Sequence, residues 1–438
     1  MVKRTRTKTT RPEDFTGDPQ VVAAVDDLKA HLRDKKISDV IDSEGNQYVD
    51  VVMEGGGTLG IALLGYLHAL EQAKVRFLDI GGTSAGAITA LLLAAVDTKD
   101  KPKSSYLLER LAAKDLSEFM DSSGGVKRFL NAWLAKRPKL LLALNGPAVV
   151  RAVLHHLGLN PGQAFYDWMV SNLEQRGIFT VQDLDERMKA QPQGLRRRDG
   201  QALSPDDCEA HLALIAAEVT TETKVEFPRM AKLFWKNWEE ENPALFVRAS
   251  MSVPFFFYPL TVELPDLSPE ELQQRWALAS FADIHPREKV HLVDGGIMSN
   301  FPINLFHVPG VPSAPTFGAR LGMRKKHTIQ KPAELGRAIF DSARHCLDYD
   351  FILQHRDYKH LLTTIDTGPH GWLDFNLSKE AQVDLFARGV KAGAAFLNAF
   401  NWEDYKEERE KLAREQQPPA FPPQSPRGAS ASGFAASI

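Results

Sequence analysis

A serine works as a nucleophile only where its hydroxyl reaches a substrate and lies beside a base. Ser84 stands in Gly82-Thr83-Ser84-Ala85-Gly86, between a β-rich run ending near Ile80 and an apolar run from Ala85 to Ala95. A serine on such a strand-to-helix turn projects its hydroxyl from the sheet edge. The flanking glycines let strand and helix approach, and the following helix points its N-terminal dipole at the site. Upstream lies Glu54-Gly55-Gly56-Gly57-Thr58-Leu59-Gly60, again between a strand-like and a helix-like run. Successive glycines there leave backbone N–H groups aimed at one spot, an anion cradle for a phosphate or for the oxyanion of a tetrahedral acyl intermediate. A phosphate loop would end in Gly-Lys-Ser/Thr, whereas this one continues Leu59-Gly60-Ile61. Gly55, Gly57 and Gly60 also meet a dinucleotide-binding spacing, with Asp79 as an approximate acidic partner, so nucleotide binding stands as a competing reading. The third piece is Asp294-Gly295-Gly296, which follows Val290 to Val293. It places an aspartate at a strand's carboxyl end, where functional groups of α/β sheets collect. A histidine base is the rival arrangement: histidines at 307, 327, 345, 355, 360 and 370 follow the serine, and Asp366 also ends a strand-like run.

The periodicity says what must position these pieces. Tyr48 to Met53 reads as a strand, Leu59 to Ala73 as a helix, Phe77 to Ile80 as a strand and Ala85 to Ala95 as a buried helix. Strand alternating with helix indicates an α/β sheet with mostly parallel strands. Leu212 to Val219, Val290 to Val293 and Leu361 to Thr367 return to strand character, and Lys379 to Phe400 reads as a final amphipathic helix. Residues 97–200 are instead helical in pattern, with Leu-rich runs, basic residues and tryptophans. Within them, 122–159 is read as core helices of an inserted cap, with an interfacial or lid-like helix as the alternative. The chain thus divides into 1–37, a basic tail over 1–20 leading into a helix from Val21; 38–400, the main domain with the 97–200 insertion; and 401–438, a disordered tail whose Pro/Ser/Ala-rich part begins after Gln416.

Composition limits the function classes. A net charge of −3 gives no global basic field for nucleic acid. Two cysteines, Cys208 and Cys346, form neither a disulfide framework nor a zinc site, so no metal or cofactor is expected. Free thiols suit the cytoplasm. Met1 to Pro12 is polar with no apolar stretch behind it, unlike a secretory signal, and any meeting with a membrane is peripheral, from the side.

Taken together, the three glycine-flanked pieces resemble the patatin-like phospholipases in order and setting. Ala249-Ser250-Met251-Ser252-Val253-Pro254-Phe255-Phe256-Phe257 is similar to that family's A-S-x-x-x-P-x-x-F block, and Asn300-Phe301-Pro302 follows Asp294 as in many members. The stretch from Ile365 to Leu397, with Asp374-Phe375-Asn376-Leu377-Ser378, is similar to the end of many bacterial members, whereas Leu59 stands where the family's glycine loop usually carries a basic residue. The resemblance implies a three-layer α/β/α sandwich and a serine lipid acyl hydrolase. Its nucleophile would be Ser84, its general base Asp294 without an intervening histidine, and its oxyanion hole Gly55, Gly56 and Gly57. Gly60, Gly82, Gly86, Gly295 and Gly296 would support these motifs. The substrate would be a phospholipid or other acyl lipid; the need for an activating partner stays open. A non-catalytic lipid-binding protein on the same fold is the alternative.

Overall fold

The computed structural model describes residues 10–416 except 33–34, 135–138, 204–209, 277–287 and 323–328. Cys208 and His327 lie outside the described residues. The main strands are β1 (Gln47–Met53), β2 (Val75–Thr83), β3 (Leu212–Glu218), β4 (Thr223–Phe227), β5 (Leu260–Glu263), β6 (Lys289–Asp294), β7 (Thr316–Leu321) and β8 (Leu362–Ile365). They form one sheet in the order β8-β7-β1-β2-β3-β6-β5, with β4 pairing β3. The five strands from β8 to β3 are parallel; β6 and β4 run antiparallel to β3. β3 is buried at every position, and its near-continuous apolar sequence is what a parallel sheet covered on both faces requires.

The helices are α1 (Pro12–Thr16), α2 (Pro19–His31), α3 (Gly60–Gln72), α4 (Ala85–Ala95), α5 (Ser104–Ala112), α6 (Gly124–Leu134), α7 (Lys139–His156), α8 (Gln163–Glu174), α9 (Val181–Lys189), α10 (Ala244–Ser250), α11 (Pro269–Trp276), α12 (Pro332–Gln354), α13 (Lys379–Ala399) and α14 (Trp402–Gln416). Flanking the sheet, they complete a three-layer α/β/α sandwich. α3 and α13 lie closer than side chains allow. A Cβ on Gly65 would meet the Phe386 carbonyl oxygen at 2.0 Å, and one on Gly389 the Ala62 carbonyl oxygen at 1.9 Å. Only glycine permits that approach. α5 to α9 fall within residues 104–189.

Both chain ends depart from expectation. The basic tail read over 1–20 already contains α1, whose Phe15 is fully buried edge-on against Phe386 of α13. The disordered tail read over 401–438 begins instead with α14, anchored by buried Trp402 and Tyr405 and by the Arg409–Asp357 ion pair at 2.9 Å. Burial of that face outweighs the strongly charged outer face. Residues 417–438 lie outside the described residues.

Candidate active site

Ser84 links β2 to α4 at φ +51°, ψ −115°, a backbone conformation that non-glycine residues seldom adopt. The turn is forced tight by its flanks: a Cβ on Gly82 would lie 2.5 Å from the Gly86 carbonyl carbon, and one on Gly86 only 2.2 Å from the Met53 carbonyl oxygen. The conformation is held from outside as well. The Ser84 N–H donates to Ser250 Oγ at 2.9 Å, and that hydroxyl donates to the Ile215 carbonyl at 2.6 Å. Ser250 ends α10, so the Ala-Ser block read as a family feature has a concrete job here, bracing the serine turn against β3.

Asp294 ends β6. Thr83 pairs with Ile215 on one side of β3, and Asp294 pairs with Ala216 on the other, so the aspartate stands level with Ser84. The strand-end rule gives the wrong reason for this placement. β6 is antiparallel to its neighbour and runs in from beyond the sheet's carboxyl edge, so Asp294 reaches the serine only because the strand stops at that level. Ser84 and Asp294 line the same small cavity, and the serine side chain is near enough to lower the carboxylate's pKa. Gly296 N–H donates to Asp294 Oδ1 at 2.7 Å, and Asp294 N–H donates to the Ser252 carbonyl at 2.9 Å. Burial raises the Asp294 pKa above the ordinary carboxylate value; the nearby Arg344 charge, the Ser84 side chain and the Gly296 N–H oppose that rise without cancelling it.

The glycine loop divides its labour. Gly55 cannot serve an oxyanion as expected, because its N–H already donates to the Asn300 carbonyl at 3.0 Å. The amides of Gly56 and Gly57 have no protein acceptor among the described residues, and both glycines line a small cavity with Ser84, Asp294, Gly296, Arg344 and Trp372. Gly57 has φ +54°, and a Cβ there would sit 2.1 Å from the Trp372 carbonyl oxygen, to which Thr58 N–H donates at 2.9 Å. Gly60 packs its α-carbon against Ala85 at the start of α4, and Gly295 packs against the Ile215 carbonyl.

Asn300, Arg344 and Glu54 join this group without having been read as functional. Asn300 Nδ2 donates to Gly55 O at 3.1 Å and to Glu54 Oε1 at 3.2 Å, while its Oδ1 accepts from Arg344 Nη2 at 2.6 Å. Glu54 Oε2 accepts from Leu321 N–H at 2.6 Å, tying the loop to the end of β7. Arg344 Nε donates to Gly296 O at 3.2 Å. Arg344 comes from mid-α12, where no local motif marks it; Asn300 was visible only as part of the Asn-Phe-Pro run.

A second, larger cavity also opens on Ser84. Its walls are almost wholly apolar, with Ile61, Ile88, Phe119, Trp168, Phe257 and Phe375 among them. It shares Gly57, Ser84, Val253 and Trp372 with the smaller cavity. Among the described residues no histidine lines either cavity, and only His345 reaches the network behind the glycine loop. His307 bonds the Tyr358 hydroxyl, His345 faces Glu54, His355 bonds its own helix, His360 pairs with Glu408 and His370 with Asp384. Asp366 pairs with Arg388 at the surface.

A model of the patatin-like phospholipase family matches residues 51–307, and the chain belongs to that family. It is 26% identical over 361 residues to the uncharacterized protein YqhO of Bacillus subtilis strain 168, covering 81% of this chain and all of that one. Among solved structures it is similar to VipD from Legionella pneumophila, with 14% identity and a TM-score of 0.39 over 83% of this chain and 70% of that one. It is also similar to ExoU in its heterodimeric complex with SpcU from the type III secretion system of Pseudomonas aeruginosa, with 16% identity and a TM-score of 0.33 over 85% of this chain. This chain spans about half of that one, 55%.

Proposed function

We propose that this protein is a serine acyl hydrolase that cleaves fatty-acyl esters of lipids, with Ser84 as nucleophile and Asp294 as its direct base. The observation that carries this reading is the placement of Asp294 level with Ser84 across β3, both lining a cavity where an apolar and a polar pocket meet. The larger cavity suits an acyl chain, and the smaller one, closed by Arg344 and Trp372, suits the carbonyl and the leaving alcohol.

Ser84 Oγ attacks the ester carbonyl carbon while its proton passes to Asp294. The carbonyl electrons move onto oxygen, and the Gly56 and Gly57 amides receive that charge. Collapse expels the alcohol, which takes the proton from Asp294 and leaves an acyl-serine. Water then attacks the acyl carbon, giving its proton to Asp294, and the second collapse releases the fatty acid and returns the proton to Ser84. An unperturbed aspartate is a weak base at neutral pH; burial strengthens it, and the nearby Arg344 charge opposes that rise. The test is fatty-acid release from phospholipid vesicles. Wild type should release it and folded Ser84→Ala should not; equal release by both would end the proposal.

A further inference from the structure

The helical hairpin α6–α7 carries an outer surface that the proposed chemistry does not use. Between Asp121 and Asp167 the sequence has no acidic residue, while Lys127, Arg128, Lys136, Arg137, Lys139 and Arg151 are all basic, in a chain whose net charge is −3. A surface helix normally turns a polar face outward. α7 instead exposes Leu144 (69%), Val150 and Leu154 (74%), Leu157 just beyond it is exposed too, and α6 exposes Trp133. The inner faces are already satisfied, with Val126, Leu130 and Ala152 buried. Beside the apolar stripe stand the exposed cations Lys127, Arg128 and Arg151.

This stripe continues to the mouth of the apolar cavity. After α7, Asn160 N–H donates to Phe256 O at 3.0 Å and Asn160 O accepts from Tyr258 N–H at 2.9 Å. His156 stacks on Tyr258 with ring centroids 4.9 Å apart. Phe255, in the same loop, is 67% exposed at φ +64°, while its neighbours Val253 and Phe257 line the cavity.

We propose that the outer face of α6–α7, with Phe255, is the surface by which the protein docks on an anionic lipid bilayer. Apolar side chains between cations, with no acid among them, fit a negatively charged headgroup layer above acyl chains. The choice of a lipid surface rests on the reading of the protein as a lipid acyl hydrolase. A lipid leaving the bilayer at Phe255 enters the cavity without crossing water.

The test is cosedimentation with vesicles of phosphatidylglycerol and phosphatidylcholine, against phosphatidylcholine alone, alongside turnover of a short-chain soluble ester. Wild type should prefer the anionic vesicles. Leu144→Ser with Leu154→Ser, and separately Lys127→Gln with Arg128→Gln and Arg151→Gln, should keep the wild-type melting temperature and soluble-ester turnover. The cation variant should bind anionic vesicles on the order of 100-fold more weakly, from about fivefold per cation, and the leucine variant at least about tenfold more weakly. Unchanged vesicle binding by both variants overturns the proposal. So does a wild type that ignores vesicles but self-associates through this face, which would make the occupant a second copy. Vesicle binding by a wild type that turns over no ester would uphold the surface and sink the hydrolase reading instead.

Discussion

Asn300→Asp tests the network behind the glycine loop with a change of almost no volume. One carboxylate oxygen replaces the amide nitrogen that now donates to Glu54 Oε1 at 3.2 Å and to Gly55 O at 3.1 Å. Two unit charges at that separation repel by about 5 kcal/mol at an effective dielectric of about 20. Roughly 1–2 kcal/mol returns through a stronger bond from Arg344, leaving a loss of about 3–4 kcal/mol at pH 8. The pair escapes by taking up one proton, after which a carboxyl donates where the amide did. The shared group's pKa in the folded protein is therefore raised above its unfolded value, so its share of stability is present at low pH and lost as pH rises through the folded value. Urea unfolding should show the variant within about 1 kcal/mol of wild type at pH 5 and well below it at pH 8. Asn300→Ala, with no new charge, should lose about 2–3 kcal/mol at both. At pH 8 the turnover of Asn300→Asp should fall on the order of 100-fold, because Gly55 no longer holds Gly56 and Gly57 in place. A variant as stable as wild type at pH 8, or one whose deficit does not shrink on acidification, would refute this reasoning.

Other expectations follow from the same structure. Because burial raises the Asp294 pKa, turnover should fall on the acid side with a midpoint above the ordinary carboxylate value of 3.8; a rate flat down to acid unfolding would remove Asp294 as the base. Asp348 is pushed up to about 6 by burial, against the bonds from Ser299 Oγ and Phe301 N–H. Its protonated form favours the fold, so that stability is full below about pH 4 and lost as pH rises through about 6; Asp348→Asn should flatten this part of the pH–stability curve. Phe15→Ala should destabilise by about 3–5 kcal/mol in chemical denaturation if α1 belongs to the core, and by almost nothing if the N-terminal segment is a loose tail.

The sequence revealed what is local. The turn around Ser84 and the glycine loop are written in adjacent residues, because tight turns demand glycine at fixed offsets, and β1, β2, α3 and α4 were readable around them by periodicity. Contacts made by distant residues were not. Arg344 sits in the long helix α12 and reaches Asn300 and Gly296 from there, and nothing in its neighbours marks it. The Gly55 amide was taken as available because its acceptor, the Asn300 carbonyl, lies 245 residues away. The direction of β6 was invisible for the same reason: six residues of strand pattern do not say which neighbour they pair with. At the C-terminus, charge density masked α14, whose buried face is set by only Trp402, Tyr405 and Arg409 at helical spacing.

The central claim is that Asp294 acts directly on Ser84. The most direct measurement is the rate and site of labelling by a fluorophosphonate, followed by peptide mass analysis, in wild type and in Asp294→Asn shown to be folded by its unfolding curve. The account predicts a label on Ser84 in wild type and labelling slower by about 10²–10⁴-fold in the variant, the range expected for loss of a general base. A label on another serine, or an Asp294→Asn protein that labels at the wild-type rate, would contradict it.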